Sequence, residues 1–162
     1  MDTFAAQFEG VENADVIIDN VSNDSAAAVN ALLRAGKTVA MITKGDEKGN
    51  FICSYEDFLT IAKDYVITAT GVYGANYKAA VILNPLVFLP GKPANNTYGY
   101  VETTLRSGSY NYRFDWLALT AMGFTMTEDL SKANVIVGSQ KLSDEALGAV
   151  KAGTPYMAYG AT

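Results

Sequence analysis

Chemistry in this chain has to come from thiol, hydroxyl, carboxylate, amide or backbone groups, because it has no histidine and a single cysteine, Cys53. The missing imidazole removes Ser-His-Asp and Cys-His catalysis, histidine metal sites and imidazole acid/base steps together. Cys53 lies between a short strand and a helix start. A nucleophile can sit on such a strand-to-helix turn, and a helix N-terminus lowers a thiol pKa. No Gly-x-Cys-x-Gly pattern surrounds it, so it reads as a buried, inert thiol. Asp15, Asp19, Asn20, Ser22, Asn23 and Asp24 are rich in oxygen donors of the kind calcium or magnesium takes. Their spacing matches no EF-hand loop, and N-capping and turn formation account for the same residues. No metal and no cofactor are assigned.

Gly71-Val72-Tyr73-Gly74 follows a strand-like run, and a glycine-rich turn there could cradle a phosphate. It lacks both the G-x-G-x-x-G and the G-x-x-x-x-G-K-[ST] patterns. Glu56, Asp57 and Asp64 share one helix, but adjacent Glu56 and Asp57 point to different faces and read as solvated surface. Tyr98, Tyr100, Tyr110, Tyr112, Phe114 and Trp116 concentrate aromatics among Asn95, Asn96 and Asn111. Such a group could stack a sugar or peptide; cross-strand pairing in a hairpin is the favoured explanation.

These residues are positioned by two copies of one pattern. Residues 9–43 and 128–160 each read strand, polar loop, helix, glycine stop, strand. Glu9, Ala14, Val16 and Ile17 match Glu128, Ala133, Val135 and Ile136, and Ala35-Gly36 match Ala152-Gly153 after a two-residue deletion. Val16–Ile18 and Val135–Val137 are β-branched runs without alternation, as expected of strands buried on both faces. Ala28, Val29, Leu32 and Leu33 form one helical stripe, and Ala146, Leu147 and Val150 another. Asp24 or Ser25, and Ser143, are predicted N-caps. Gly36 and Gly153 are predicted stops in the left-handed conformation. Each unit is then a βαβ crossover, and the pair predicts an open, mostly parallel, doubly wound α/β sheet of the flavodoxin-like kind.

Between the copies, Ser54 starts a helix running to about Lys63, and Tyr65–Thr70, Ala79–Leu83 and Val87–Leu89 read as strands. Tyr98–Leu105 and Tyr110–Phe114, with a turn at Ser107-Gly108, predict an antiparallel hairpin excursion around residues 95–114. Phe114–Met122 predicts an amphipathic helix with Phe114, Trp116, Leu117, Leu119 and Ala121 on its apolar side. A ligand at the carboxyl edge of the sheet would be lined by Asp19, Asn20, Ser22, Thr43, Thr70, Gly71, Ser139 and Gln140.

The composition bounds the rest. The 162 residues are 49% apolar and 18% charged, which suits one globular domain and excludes a disordered tail. The net charge of −5 argues against a nucleic-acid surface, and no apolar run approaches the roughly 20 residues of a membrane span. The chain opens on Met1-Asp2-Thr3 with no signal peptide. Its last strand-like run, Tyr156–Gly160, reads as buried and suggests a single domain excised from a longer chain or a tightly tied end; the lack of a helix before the first repeat fits that excision or a true terminus that simply lacks the helix. Few charges, one cysteine and many Tyr, Asn and Thr residues suit an exported bacterial protein.

The A-D-V-I-I and A-N-V-I-V strands and the A-G-T-P-Y-M-A-Y-G ending resemble flavodoxin-like domains related to class I glutamine amidotransferases. Such domains occur as non-catalytic attachments on secreted bacterial zinc carboxypeptidases. The likeness covers residues 9–45 and 113–162, and its motifs are structural. With no nucleophile elbow and no histidine, glutaminase activity does not carry over. The resemblance implies an accessory domain of an extracellular or cell-surface protein, with other domains of a parent chain as partners and any peptidase activity elsewhere in that parent. Two other readings stand beside it: a small-molecule, sugar or peptide module at the sheet edge, and a degenerate hydrolase using Cys53.

Overall fold

A computed structural model describes residues 3–74, 76–92, 107–138 and 141–159. The sequence reading treats residues 1–162 as one domain; the chain divides into two compact units, Met1–Asn84 and Pro85–Thr162.

Among the described residues, the first unit holds a six-stranded sheet in the order β1-β5-β2-β4-β3-β6. Its strands are β1 (Gln7–Gly10), β2 (Asp15–Ile18), β3 (Ala40–Ile42), β4 (Phe51–Ser54), β5 (Thr68–Val72) and β6 (Ala79–Val81). The connection between β3 and β4, residues 43–50, is too short for a parallel crossover, so β4 returns antiparallel beside β3. It also pairs antiparallel with β2, and thus separates the two strands of the first βαβ unit. Helix α1 (Asn23–Arg34) carries the chain from β2 over β4 to β3. Helix α2 (Tyr55–Ile61) carries it from β4 over β2 to β5. The sheet is therefore two interleaved split crossovers, with β4 and β5 both antiparallel to β2 and parallel to each other.

The pleat decides what is buried. Val16 faces Cys53 and Gly71 across the ladder, and Ile18 faces Phe51 and Ala69. These rows pack against Ala28, Val29, Leu32 and Leu33 of α1 and against Phe58 and Ile61 of α2. Ile17, on the opposite face, is also buried, as the unalternating run predicts. α2 has seven residues and would be marginal alone. Burial of Phe58 among the rings of Phe4, Phe8 and Tyr55 anchors it, with full burial of such a ring contributing roughly 2–3 kcal/mol. Its predicted end at Lys63 comes early, at Ile61.

Among the described residues, the second unit holds four strands in the order β10-β9-β7-β8, every neighbouring pair parallel. These are β7 (Leu86–Phe88), β8 (Thr125–Met126), β9 (Val135–Gly138) and β10 (Tyr156–Ala158). Helix α3 (Ser107–Ala121) links β7 to β8, and α4 (Asp144–Lys151) links β9 to β10. Asn134 ties the start of this sheet together: its Oδ1 accepts from Leu86 N at 2.8 Å and its own N–H donates to Leu86 O at 2.9 Å.

The predicted βαβ patterns thus form locally, with Gly36 (φ 74°) and Gly153 (φ 113°) as left-handed stops. They do not share one sheet. β2 lies in the mixed sheet and β9 in the parallel one; the hairpin after β3 is what makes the first sheet antiparallel at its centre. The hairpin predicted around residues 95–114 is overturned from Ser107 onward, where the chain is helical. Tyr112 and Trp116 stack at 6.0 Å as i,i+4 neighbours on α3 rather than as a cross-strand pair. The remainder of that hairpin, with Tyr98 and Tyr100, lies outside the described residues. Two side chains of the predicted apolar stripe, Phe114 and Leu117, are more than half exposed. The last strand forms as expected but is exposed rather than buried. No helix among the described residues is long and apolar enough to cross a membrane.

Candidate functional site

The carboxyl ends of β4 and β5 lie at the same edge of the first sheet, on either side of the start of β2. There the surface forms a cleft of about 630 Å³. β4 runs into α2 and supplies Ser54, Tyr55, Glu56 and Leu59. The end of β5 supplies Val72, Tyr73 and Gly74. The entry to β2 supplies Asn13, Ala14 and Asp15. Asn13 turns the chain with φ 57°, a conformation asparagine tolerates better than most residues. Ser54 is spent on the backbone: its Oγ accepts from Asp57 N at 3.1 Å as the N-cap of α2. Tyr55 is held against Phe8 with ring centroids 5.6 Å apart, whereas Tyr73 is 83% exposed. The cleft thus combines two tyrosines, two acidic residues, the apolar residues Leu59 and Val72, and no lysine or arginine among its lining residues.

The sequence-predicted site residues lie elsewhere. Asp19, Asn20 and Ser22 follow the far end of β2, about 13 Å along the strand from Asp15 at the usual strand rise. Asn20 N donates to Asn50 Oδ1 at 3.0 Å and its Nδ2 to Gly49 O at 3.2 Å, so its polar groups bind the β3–β4 hairpin. Ser22, rather than Asp24 or Ser25, caps α1, its Oγ accepting from Ser25 N at 3.3 Å. Asp24 instead accepts from Val66 N at 2.9 Å. Ser25 is buried and donates to Asp19 O at 2.6 Å. The Asp19 carboxyl is held above its usual pKa, first by desolvation and then by Glu47 and Glu9. Thr43 donates its hydroxyl to Lys78 O at 3.0 Å. Thr70 and Gly71 sit inside β5, opposite Ile17 and Val16. Ser139 and Gln140 lie outside the described residues. Asp19, Asn20 and Ser22 form one neighbourhood with the β3–β4 hairpin; Thr70 and Gly71 are not part of it.

Gly71 has a different reason to be glycine than a phosphate cradle. A Cβ there would overlap the Val11 carbonyl oxygen, and a Cβ on its partner Gly10 would overlap Gly71 O. Backbone meets backbone, and the Val11 N–H bonds Gly71 O at 3.0 Å. Among the described residues, no group of three or more cysteine and acidic side chains is placed to hold a metal ion.

Cys53 is buried on the helix side of β4. Desolvation, with smaller contributions from Asp57 and Asp15, pushes its thiol up to about 12. A thiol so placed stays protonated at neutral pH and lacks the accessible thiolate that nucleophilic attack needs. Asp57, the larger of these two charge contributions, itself pairs with Lys37 at 3.4 Å.

Sequence reasoning named Asp15, Glu56 and the Gly71–Gly74 turn singly and did not bring them together; it missed Tyr55 and Tyr73 as site residues. The signal that joins them is topological. A strand ending in a Ser54 cap and a strand ending at Tyr73-Gly74 become neighbours only once β4 and β5 are known to flank β2. Comparison with known proteins finds no protein family, no curated protein and no solved structure that matches this chain.

Proposed function

We propose that this chain is a non-catalytic α/β binding module, an accessory part of a larger exported bacterial protein, that takes a small molecule in the cleft at the carboxyl ends of β4 and β5. The cleft carries this reading: it is of ligand size and lined by rings, carboxylates and apolar side chains from three chain segments. A non-catalytic role is supported by the buried, protonated state of Cys53, which leaves the hydrolase alternative without its nucleophile. The flavodoxin-like, amidotransferase-like reading draws its support from the second unit. Its parallel order β8-β7-β9-β10 corresponds to the first four strands of the flavodoxin-like order, with a switch point between β7 and β9. The doubly wound reading takes these crossovers as right-handed, with α3 and α4 on opposite faces. In this reading the parent is of the zinc carboxypeptidase type, and its chemistry resides in other domains.

Thermal-shift screening against nucleotides, sugars, peptides and organic ions tests the cleft. Ligands are expected to raise the melting temperature of the natural chain and to lose that effect in Tyr73→Ala, whose exposed ring contributes little to folding. No stabilisation by any compound contradicts the reading. Glutaminase, esterase or peptidase turnover that disappears in Cys53→Ser contradicts the non-catalytic role.

A further inference from the structure

We infer that the cleft binds a small organic cation, an ammonium or guanidinium on a short apolar stem. The inference rests on the ligand-cleft reading and adds the charge and shape of the ligand. Asp15, at the start of β2, and Glu56, in the first turn of α2, place two negative side chains on one cleft whose lining has no lysine or arginine. A cation in the cleft is attracted by both carboxylates, whereas a neutral sugar is not. Tyr55 and the exposed Tyr73 line the cleft, and tyrosine rings are usual partners of a cation shed of part of its water. Leu59 and Val72 offer apolar contact to the stem. An anion has no comparable partner. α2 has only seven residues, and its positive end is already met by the Ser54 cap and by its own Glu56 and Asp57.

The test is a titration of the whole chain followed by amide-resolved NMR. The probes are n-butylguanidinium, its neutral isostere n-butylurea, glucose and inorganic phosphate. n-Butylguanidinium is expected to shift resonances of residues 54–59 and 72–74. Its affinity is expected to fall about threefold or more between about 20 mM and about 300 mM salt, because exposed charges are screened. A similar loss, about threefold to fivefold, is expected in Glu56→Gln and in Asp15→Asn, two exposed positions whose amides preserve shape. n-Butylurea or glucose binding as tightly as n-butylguanidinium, or phosphate alone binding there, overturns the cation assignment and leaves the cleft reading standing. Unchanged affinity in both variants also overturns it. Absence of any shift at the cleft with all four probes removes both.

Discussion

At Gly10 and Gly71 two strands approach so closely that neither can carry a side chain, and this pair fixes how β1 lies on β5. Gly71→Ala is expected to destabilise the protein by about 3 kcal/mol, at the upper end of ordinary overpacking, because the new methyl meets backbone that cannot rotate away; urea unfolding measures it. A loss below about 0.5 kcal/mol would mean the ladder is looser than the close approach requires. Cys53 gives a second expectation. Its thiol should resist a disulfide reagent at pH 8 in the folded protein and react at once in denaturant. Asp19 gives a third. Folding raises its pKa, so the ionised carboxylate opposes folding at neutral pH, and this opposition fades as pH falls from the raised value to the ordinary carboxylate value. Asp19→Asn is therefore expected to raise the melting temperature at pH 7 by about 1–3 °C and to change nothing near pH 3. At this scale the sequence was legible where a residue type has one dominant use. The absence of histidine and the inert reading of Cys53 follow from the residues themselves. Gly71 was not legible, because its reason lies in Gly10 and Val11, brought beside it only by strand pairing.

α1, α2 and α4 were legible as elements because each is opened by a serine cap. α1 and α4 have apolar stripes, serine caps and glycine stops, and both form within two residues of the sequence reading. The identity of the α1 cap was harder, since Ser22, Asn23, Asp24 and Ser25 can all cap a helix; Ser22 takes the role. Ser22→Ala is expected to cost about 1 kcal/mol of stability and to leave ligand affinity unchanged, whereas a ligand-binding Ser22 would show the reverse. The ring cluster around Phe58 fixes the position of α2 and hence of Tyr55 and Glu56. Phe58→Ala is expected to cost about 3–5 kcal/mol and to abolish cleft binding with it. The stretch from Ser107 to Phe114 misled because aromatic and Asn residues also suit strands. The i,i+4 spacing of Tyr112 and Trp116 was the helical signal within it.

For the molecule as a whole, two chain segments with the same local grammar fold into different sheets. The repeat predicts a strand, a helix and a strand in each copy, and both copies comply. It says nothing of what enters between the strands, and β4 enters the first pair while the second pair stays adjacent. Long-range pairing of this kind depends on which loops are too short to cross, and single-sequence periodicity does not report it. The first unit has its own buried cluster, drawn from β2, β4, β5, α1 and α2. A fragment of residues 1–84 is therefore expected to fold alone with one cooperative transition. The central claim is that a ligand enters at the β4 and β5 ends rather than at the Asp19–Ser22 end of β2. The direct measurement is amide-resolved NMR of the full chain with each compound that raises its melting temperature. The account expects the largest shifts at residues 13–15, 54–59 and 72–74. Shifts confined to residues 19–22 and 43–50, with the cleft resonances unmoved, would contradict it.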